Sequence, residues 1–173
     1  MKVGFLSDKN GFRAPLHPDS LQKYDKTQLF VEKDIFKNLD LTANDYKKLK
    51  VLNKTSLKQM DVVCFVDSVD IGVIKTLKAD AAVVGLFDAK TKKEIKKLRP
   101  DVSLYDFFQL PRISRAQNLD ALSSQANLLG YSSVLRASLE TSNVIPMMTT
   151  AAGNISPAKV LILGIGVAGL QAI

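Results

Sequence analysis

Residues 61–105 read DVVCFVDSVDIGVIKTLKADAAVVGLFDAKTKKEIKKLRPDVSLY, and this stretch decides the fold class. Short apolar runs in it have the length and composition of buried strands, at 61–66, 81–87 and 102–105. The intervening segments have helical periodicity or amphipathic charge, at 69–77 and 90–98. Strands that alternate with helices in this way predict an open, mostly parallel α/β sheet flanked by helices.

The same alternation extends towards the N-terminus. Further strands are predicted at 3–6 and 28–32, and short helices at 18–24 and 42–49. Pro18 suits the first turn of a helix because its missing N–H has no helical partner there. We therefore predict a first lobe of the flavodoxin or Rossmann-like kind over residues 1–112.

The composition is that of an ordinary soluble globular protein, with 46% hydrophobic and 24% charged residues among 173. The formal net charge of +7 could indicate nucleic acid, an anionic membrane surface or an anionic cofactor. The lysines, however, concentrate around 47–50 and 90–97, where they resemble solvated helix faces. No aromatic residues alternate with them, so we expect no nucleic-acid partner.

Cysteine, histidine and hydropathy exclude several other classes. Cys64 lies alone inside a strand-like run, which excludes an internal disulfide, favours a reducing compartment and predicts a buried small hydrophobe rather than a nucleophile. The single histidine, His17, has no metal-ligand spacing around it, so no metal site is expected. The apolar run at 3–6 is too short for a signal peptide, and no stretch of about 18 apolar residues is present.

The character of the sequence changes after residue 110. Residues 114–138 lack proline and carry a regular apolar pattern, which predicts one long helix, most easily bent at Gly130. Such helices often link two lobes, and we assign 113–142 to this linking region. Residues 144–155 are expected to be loop or extended.

The last stretch contains a G-x-G-x-x-G pattern formed by Gly164, Gly166 and Gly169, directly after the strand-like run 160–163. In a dinucleotide-binding turn the first glycine permits the tight turn, the second lets backbone approach the pyrophosphate and the third lets helix and strand pack closely. We predict that 143–173 hold a linker, the first strand and the phosphate turn of a Rossmann domain. The alternative is a glycine-rich turn without a ligand. The acidic residue expected about 20 residues further on would lie beyond residue 173.

A second pattern occupies residues 111–131, PRISRAQNLDALSSQANLLGY, which is unusually polar for the start of a long helix. Three- and four-residue spacing can place Gln117, Asp120 and Ser124 on one face with Asn127 or Tyr131. The residues alone leave two interpretations open, a ligand-facing surface or a helix cap followed by a solvated face.

Residues 107–173 as a whole resemble the NAD(H)-binding subunit of proton-translocating nicotinamide nucleotide transhydrogenases. The long pattern at 111–131 carries the resemblance, together with TTAAG at 149–153 and the glycine motif that follows it. A weaker similarity, RAPLHP at 13–18, is shared with alanine dehydrogenases.

The resemblance implies roles for individual residues. The loop that opens the long helix would lean over the nicotinamide ring of NAD(H), with Arg112, Gln117 and Asp120 positioning it for direct hydride transfer. The same resemblance implies that other residues bind the cofactor, namely Ser123, Tyr131, Gly164, Gly166, Val167, Ala168 and Gly169. Hydride transfer between two nicotinamides moves no proton, so no general base is required.

Alanine dehydrogenases use an arginine, a lysine and a histidine of the first lobe to handle a small carboxylate. This sequence has Arg13, but Asp67 stands where a lysine would be expected, and 85–88 replace the histidine-bearing turn. We therefore do not expect catalysis on alanine. His17 is expected to have a capping or surface role.

The resemblance also implies an assembly. NADP(H) would be bound by a partner component, and a membrane component would couple Re/Si-specific hydride transfer to proton movement, with this chain peripheral on the cytoplasmic face. The complete subunit is expected to be a homodimer, and a second chain could complete the Rossmann lobe. We expect residues 1–173 alone to bind NAD(H) weakly or not at all and to be inactive. The alternatives are a non-catalytic remnant or scaffold and an alanine dehydrogenase-like enzyme fragment.

Overall fold

The computed structural model describes residues 1–8, 13–17, 19–21, 28–33, 35–36, 39, 41, 49–67, 69–111 and 113–173. The chain divides into two compact units, Met1–Gln109 and Leu110–Ile173. The helices predicted at 18–24 and 42–49 fall largely outside the described residues.

The first unit is built on a six-stranded sheet in which every pair of neighbouring strands is parallel. Its strands are β1 (Lys2–Phe5), β2 (Gln28–Glu32), β3 (Lys50–Leu52), β4 (Val62–Cys64), β5 (Ala82–Gly85) and β6 (Ser103–Asp106). They lie in the order β3-β2-β1-β4-β5-β6. The predicted open parallel α/β sheet is therefore confirmed.

Three described helices of this unit begin at a polar cap. They are α1 (Lys54–Leu57), α2 (Ile71–Thr76) and α3 (Ala89–Leu98). Asn53, Asp70 and Asp88 each accept a hydrogen bond from a backbone N–H of the first turn, which would otherwise lack a partner. The caps of α2 and α3 place these helices within a few residues of the segments predicted at 69–77 and 90–98.

Both faces of the sheet are buried, as parallel sheets require. Phe30 and Val63 belong to a core cluster that includes Ile74 of α2 and Ile95 of α3. Leu29, on the other side of β2, belongs to a second cluster. Cys64 packs against this second cluster, and burial raises the pKa of its thiol to about 11, so it stays protonated at neutral pH, as expected for a small hydrophobe.

The basic face of α3 is not uniformly solvated. Lys93, Lys96 and Lys97 carry no ion pair to a described carboxylate, and Lys96 and Lys97 are exposed as expected. Lys92, however, forms a 2.9 Å ion pair with the buried carboxylate of Asp106. Arg99 donates to the carbonyl oxygens around the end of α2 and also pairs with Asp101; these carbonyl oxygens belong to Ile74, Lys75, Leu77 and Lys78.

The second unit contains α4 (Ala121–Glu140), a hairpin of β7 (Met148–Thr150) and β8 (Gly153–Ile155), and the short helix α5 (Val167–Ala172). The helix predicted from residue 114 begins only at Ala121, because Asp120 caps it and Ser114–Leu119 form a 3-10 helix instead. No described helix combines the length and hydropathy needed to cross a membrane.

The strand predicted at 160–163 was wrong as a hydrogen-bonded strand. These residues have no regular secondary structure, and Leu161 and Leu163 are 83% and 89% exposed. A strand requires a neighbour for its backbone N–H and C=O groups, and the described residues of this unit offer none beside this segment.

Candidate functional site

The glycine motif forms a turn that leads into α5. Gly164 has a φ of +101°, a conformation that residues with a Cβ rarely adopt. Gly166 is the residue that caps α5, and its backbone is extended. The first glycine therefore serves the tight turn, as the sequence pattern predicts.

The third glycine closes this turn by direct contact. A Cβ built on Gly169 would lie 2.0 Å from the carbonyl oxygen of Gly164, far inside van der Waals contact. A Cβ on Gly166, in contrast, would meet nothing within 4 Å. Gly169 is thus required by packing within the protein, whereas the space beside Gly166 is open to a ligand.

Helix α4 packs against the start of α5 through another glycine. A Cβ on Gly130 would lie 2.2 Å from the backbone oxygen of Ala168, and Gly130 is buried. The absence of a side chain at this position brings the two helices into backbone contact. From the sequence, Gly130 was expected only to be a point of bending. An isolated glycine inside a helical pattern was the available signal for a packing role.

A cleft of about 460 Å³ lies between α4 and the glycine turn. Its lining residues are Leu122, Ser123, Ala126, Leu163, Gly164, Gly166, Val167, Ala168 and Gly169. Six residues that the resemblance assigns to the cofactor therefore lie together in it, five from the glycine motif and Ser123 from α4. Leu122, Ala126 and Leu163 add an apolar wall that was not expected from the sequence.

Ser123 is held in place by Asp120. One carboxylate oxygen of Asp120 accepts the backbone N–H of Ser123 at 3.0 Å, and the other accepts its hydroxyl at 2.6 Å. Because that hydroxyl donates its proton to Asp120, its lone pairs are left to accept a hydrogen bond from a ligand. Asp120 thus both caps α4 and orients a polar atom at the cleft.

The structure leaves three predicted site residues apart from this cleft. Gln117 is exposed on the 3-10 helix that precedes α4, and Tyr131 is exposed on α4 itself. Neither contributes to the lining of the cleft. Arg112 lies outside the described residues.

The remaining sequence-based candidates are simple in the structure. His17 is exposed, and its ring Nδ1 accepts the backbone N–H of Asp19 at 3.3 Å, which agrees with a surface role. Across the described part of the chain, histidine, cysteine and carboxylate side chains do not gather in groups of three or more that could hold a metal ion.

Comparison with known proteins agrees with this site. Residues 133–173 match the family model of the alanine dehydrogenase/PNT C-terminal domain. The chain is similar to an NAD(P) transhydrogenase subunit alpha of Rickettsia prowazekii, with 51% identity over 98 residues, 56% of this chain and 26% of that protein. It is also similar to NAD(P) transhydrogenase subunit alpha of Haemophilus influenzae, with 40% identity over 126 residues, 72% of this chain and 25% of that protein.

Solved structures extend the similarity over nearly the whole chain. The transhydrogenase from Sinorhizobium meliloti superposes with a TM-score of 0.89 and 31% identity, over 99% of this chain and 54% of that one. An L-alanine dehydrogenase, at 18% identity and a TM-score of 0.76 over 99% of this chain and 50% of that one, shares the fold.

The matched regions span about a quarter of the curated relatives' own length and about half of the solved transhydrogenase. The resemblance drawn from 111–131 and the glycine motif is confirmed at the level of the family. The chain belongs to the alanine dehydrogenase/PNT family, and the relatives described above include NAD(P) transhydrogenase alpha subunits.

Proposed function

We propose that this chain supplies NAD(H)-binding residues to a proton-translocating NAD(P) transhydrogenase, in which hydride passes from NADH to NADP+ on another component. The observation that carries the proposal is the shared cleft of Ser123 and the glycine turn. Two elements that are about 40 residues apart in sequence, each assigned to the cofactor by resemblance, meet at one concave surface.

The geometry of the turn fits a dinucleotide. The space beside Gly166 that a Cβ would occupy is open, so the backbone can approach a pyrophosphate there. The apolar wall of Leu122 and Ala126 suits an aromatic ring or a ribose face better than a charged group. NAD(H), when bound, supplies the hydride, and the protein holds it.

Each polar residue near the cleft has a distinct proposed task. The Ser123 hydroxyl accepts from the amide N–H of the nicotinamide carboxamide, and Asp120 fixes that hydroxyl. Gln117, exposed just before α4, orients the same ring when NADP(H) is brought opposite. Arg112 adds positive charge near an anionic cofactor. These tasks are positional, since hydride transfer depends on near-attack geometry and requires no general base.

The proposed assembly follows from the names of the relatives, which are subunits. A component that binds NADP(H) and a membrane component would complete the enzyme, and this chain would be peripheral to the membrane. A homodimer of the complete subunit, and a second polypeptide that completes the Rossmann lobe, belong to the same proposal. Residues 156–165, without strand partners in this unit, support the expectation of weak NAD(H) binding by residues 1–173 alone.

The experiment that tests this function compares Gln117→Ala with Gln125→Ala in the assembled enzyme. Gln125 is exposed on α4 and does not contribute to the cleft lining, so its replacement is a matched control. We expect Gln117→Ala to lower the rate of hydride transfer strongly while leaving assembly unchanged, and Gln125→Ala to change neither. A scaffold role predicts that both variants retain full turnover, and this result would reject the proposal.

A further inference from the structure

A second set of charged residues lies in the first unit, where it has no part in the proposed cofactor site. The chain runs from β1 outward to β2 and β3, and then returns to lay β4, β5 and β6 on the other side of β1. The order of strands therefore reverses between β1 and β4. In open parallel sheets, the crevice beyond the carboxyl ends of the strands at such a reversal is the usual place for a ligand.

Arg13 lies at this crevice between two carboxylates. Its Nη2 donates to Asp67 at 2.7 Å, and its Nε lies 3.6 Å from the carboxylate of Asp8. Asp8 follows β1 and is buried, whereas Asp67 follows β4 and is exposed. The guanidinium is thus paired with one carboxylate from each of the two strands that flank the reversal.

The surrounding charge is negative. Glu32, at the end of β2, accepts both the backbone N–H and the hydroxyl of Ser7 through the same carboxylate oxygen. The carboxylates of Asp8, Glu32 and Asp67 stand against the single guanidinium of Arg13 among the described residues of this edge. An incoming carboxylate would therefore meet repulsion and an arginine whose donors are already taken.

We propose that Asp67 closes this crevice to small carboxylates by occupying the Arg13 guanidinium. Asp67 is the residue to test because it is exposed and forms the shorter contact, whereas Asp8 is buried and holds the other side of the guanidinium. Removing its charge leaves Arg13 with free donors at an accessible edge. The proposal does not depend on NAD(H) binding, because all of its residues belong to the first unit.

Calorimetric titration of the full chain with pyruvate tests this inference. We expect no binding to the wild type and binding to Asp67→Asn that is at least about tenfold tighter than the wild-type limit. The double variant Asp67→Asn with Arg13→Met should lose that gain. Circular dichroism of each variant establishes that the fold is retained.

Asp101→Asn is the matched control, because Asp101 pairs with Arg99 and its replacement removes the same charge from another ion pair of this unit. It should leave pyruvate binding at the wild-type level. Equal gains in Asp101→Asn and Asp67→Asn would show an effect of net charge and overturn the proposal. Pyruvate binding to the wild type as tight as to Asp67→Asn, or no binding to Asp67→Asn, would also overturn it.

Discussion

Asp120 accepts two hydrogen bonds from Ser123, one from the backbone N–H at 3.0 Å and one from the hydroxyl at 2.6 Å. The first bond caps helix α4, and the second fixes the orientation of a hydroxyl at the cleft. One side chain thus has a structural and a functional task, and different substitutions should separate them.

Replacing Asp120 with alanine removes the cap, which should lower the free energy of unfolding by about 1 kcal/mol. Asparagine is as good a cap as aspartate, so Asp120→Asn should lower it by far less. Both variants lose the carboxylate oxygen that accepts the Ser123 hydroxyl, so both should slow hydride transfer in the assembled enzyme. Urea unfolding and turnover, measured together, check this. If Asp120→Asn kept full turnover, Asp120 would be only a cap.

Gly130→Ala tests the contact between α4 and α5. Alanine is the better helix former by about 1 kcal/mol, so propensity alone favours the substitution. The added Cβ would lie 2.2 Å from the backbone oxygen of Ala168, which cannot move aside as a flexible side chain would. We expect overpacking to dominate, at about 1–3 kcal/mol.

Hydrogen exchange of the α5 amides measures this outcome, with faster exchange expected in Gly130→Ala. Ser132→Ala places the same residue at an exposed position of α4 and should leave the exchange unchanged. Wild-type exchange in Gly130→Ala would mean that the two helices do not meet at this glycine.

The glycine turn should distinguish its third glycine from its second. Gly169→Ala forces a Cβ to 2.0 Å from the carbonyl oxygen of Gly164, so the turn must open. Gly166→Ala adds a methyl group to open space and should leave the turn intact without a ligand. NMR chemical shifts of residues 164–172 provide the measurement, with broad changes expected only in Gly169→Ala. Similar widespread changes in both variants would contradict the packing described for this turn.

The ion pair of Lys92 and Asp106 should make stability depend on acid pH. Burial raises the pKa of Asp106, but the Lys92 ammonium and the backbone N–H groups of Phe108 and Phe87 outweigh it and hold the pKa below its usual range. A lowered folded-state pKa contributes stability that is present above the unfolded-state pKa, about 4, and is lost as pH falls through the folded-state value.

Asp106→Asn should therefore cost about 2 kcal/mol at neutral pH, as for a hydrogen bond to a charged group, and progressively less below about pH 4. Denaturant unfolding between neutral pH and about pH 3 measures this difference. Glu140→Gln breaks the exposed pair with Arg136 and should cost less than about 1 kcal/mol at any pH. A cost of Asp106→Asn that stays constant as pH falls would contradict the lowered pKa.

The sequence predicted the central strands well because burial on both faces gives long apolar runs, as at 81–87. It missed β3 because Lys50 and Val51 are exposed on an edge strand of three residues, which leaves no apolar pattern. It placed the start of the long helix too early because apolar spacing does not show that Asp120 interrupts the helix. Strand propensity at 160–163 predicted the wrong state because pairing depends on a neighbouring strand.

The candidate site was predictable in part. Glycine spacing and the polar segment at 111–131 pointed to Ser123 and the turn, and the structure brings these together. The packing role of Gly130 and the apolar wall of the cleft could not be predicted, since both depend on the contact between α4 and α5. Sequence spacing also grouped Gln117 and Tyr131 with the site, because it assumed one continuous helix.

The most direct test of the proposed cofactor site is NADH affinity in the enzyme assembled from this chain and its transhydrogenase partner components, with Gly166 intact and as Gly166→Ala. We predict that the methyl group weakens NADH binding by at least about tenfold, or about 1.4 kcal/mol, because it fills the space that the pyrophosphate would use. Gly72→Ala adds the same group at a glycine of the first unit and should leave the affinity unchanged. Unaltered NADH affinity in Gly166→Ala would contradict the claim that this turn holds the cofactor.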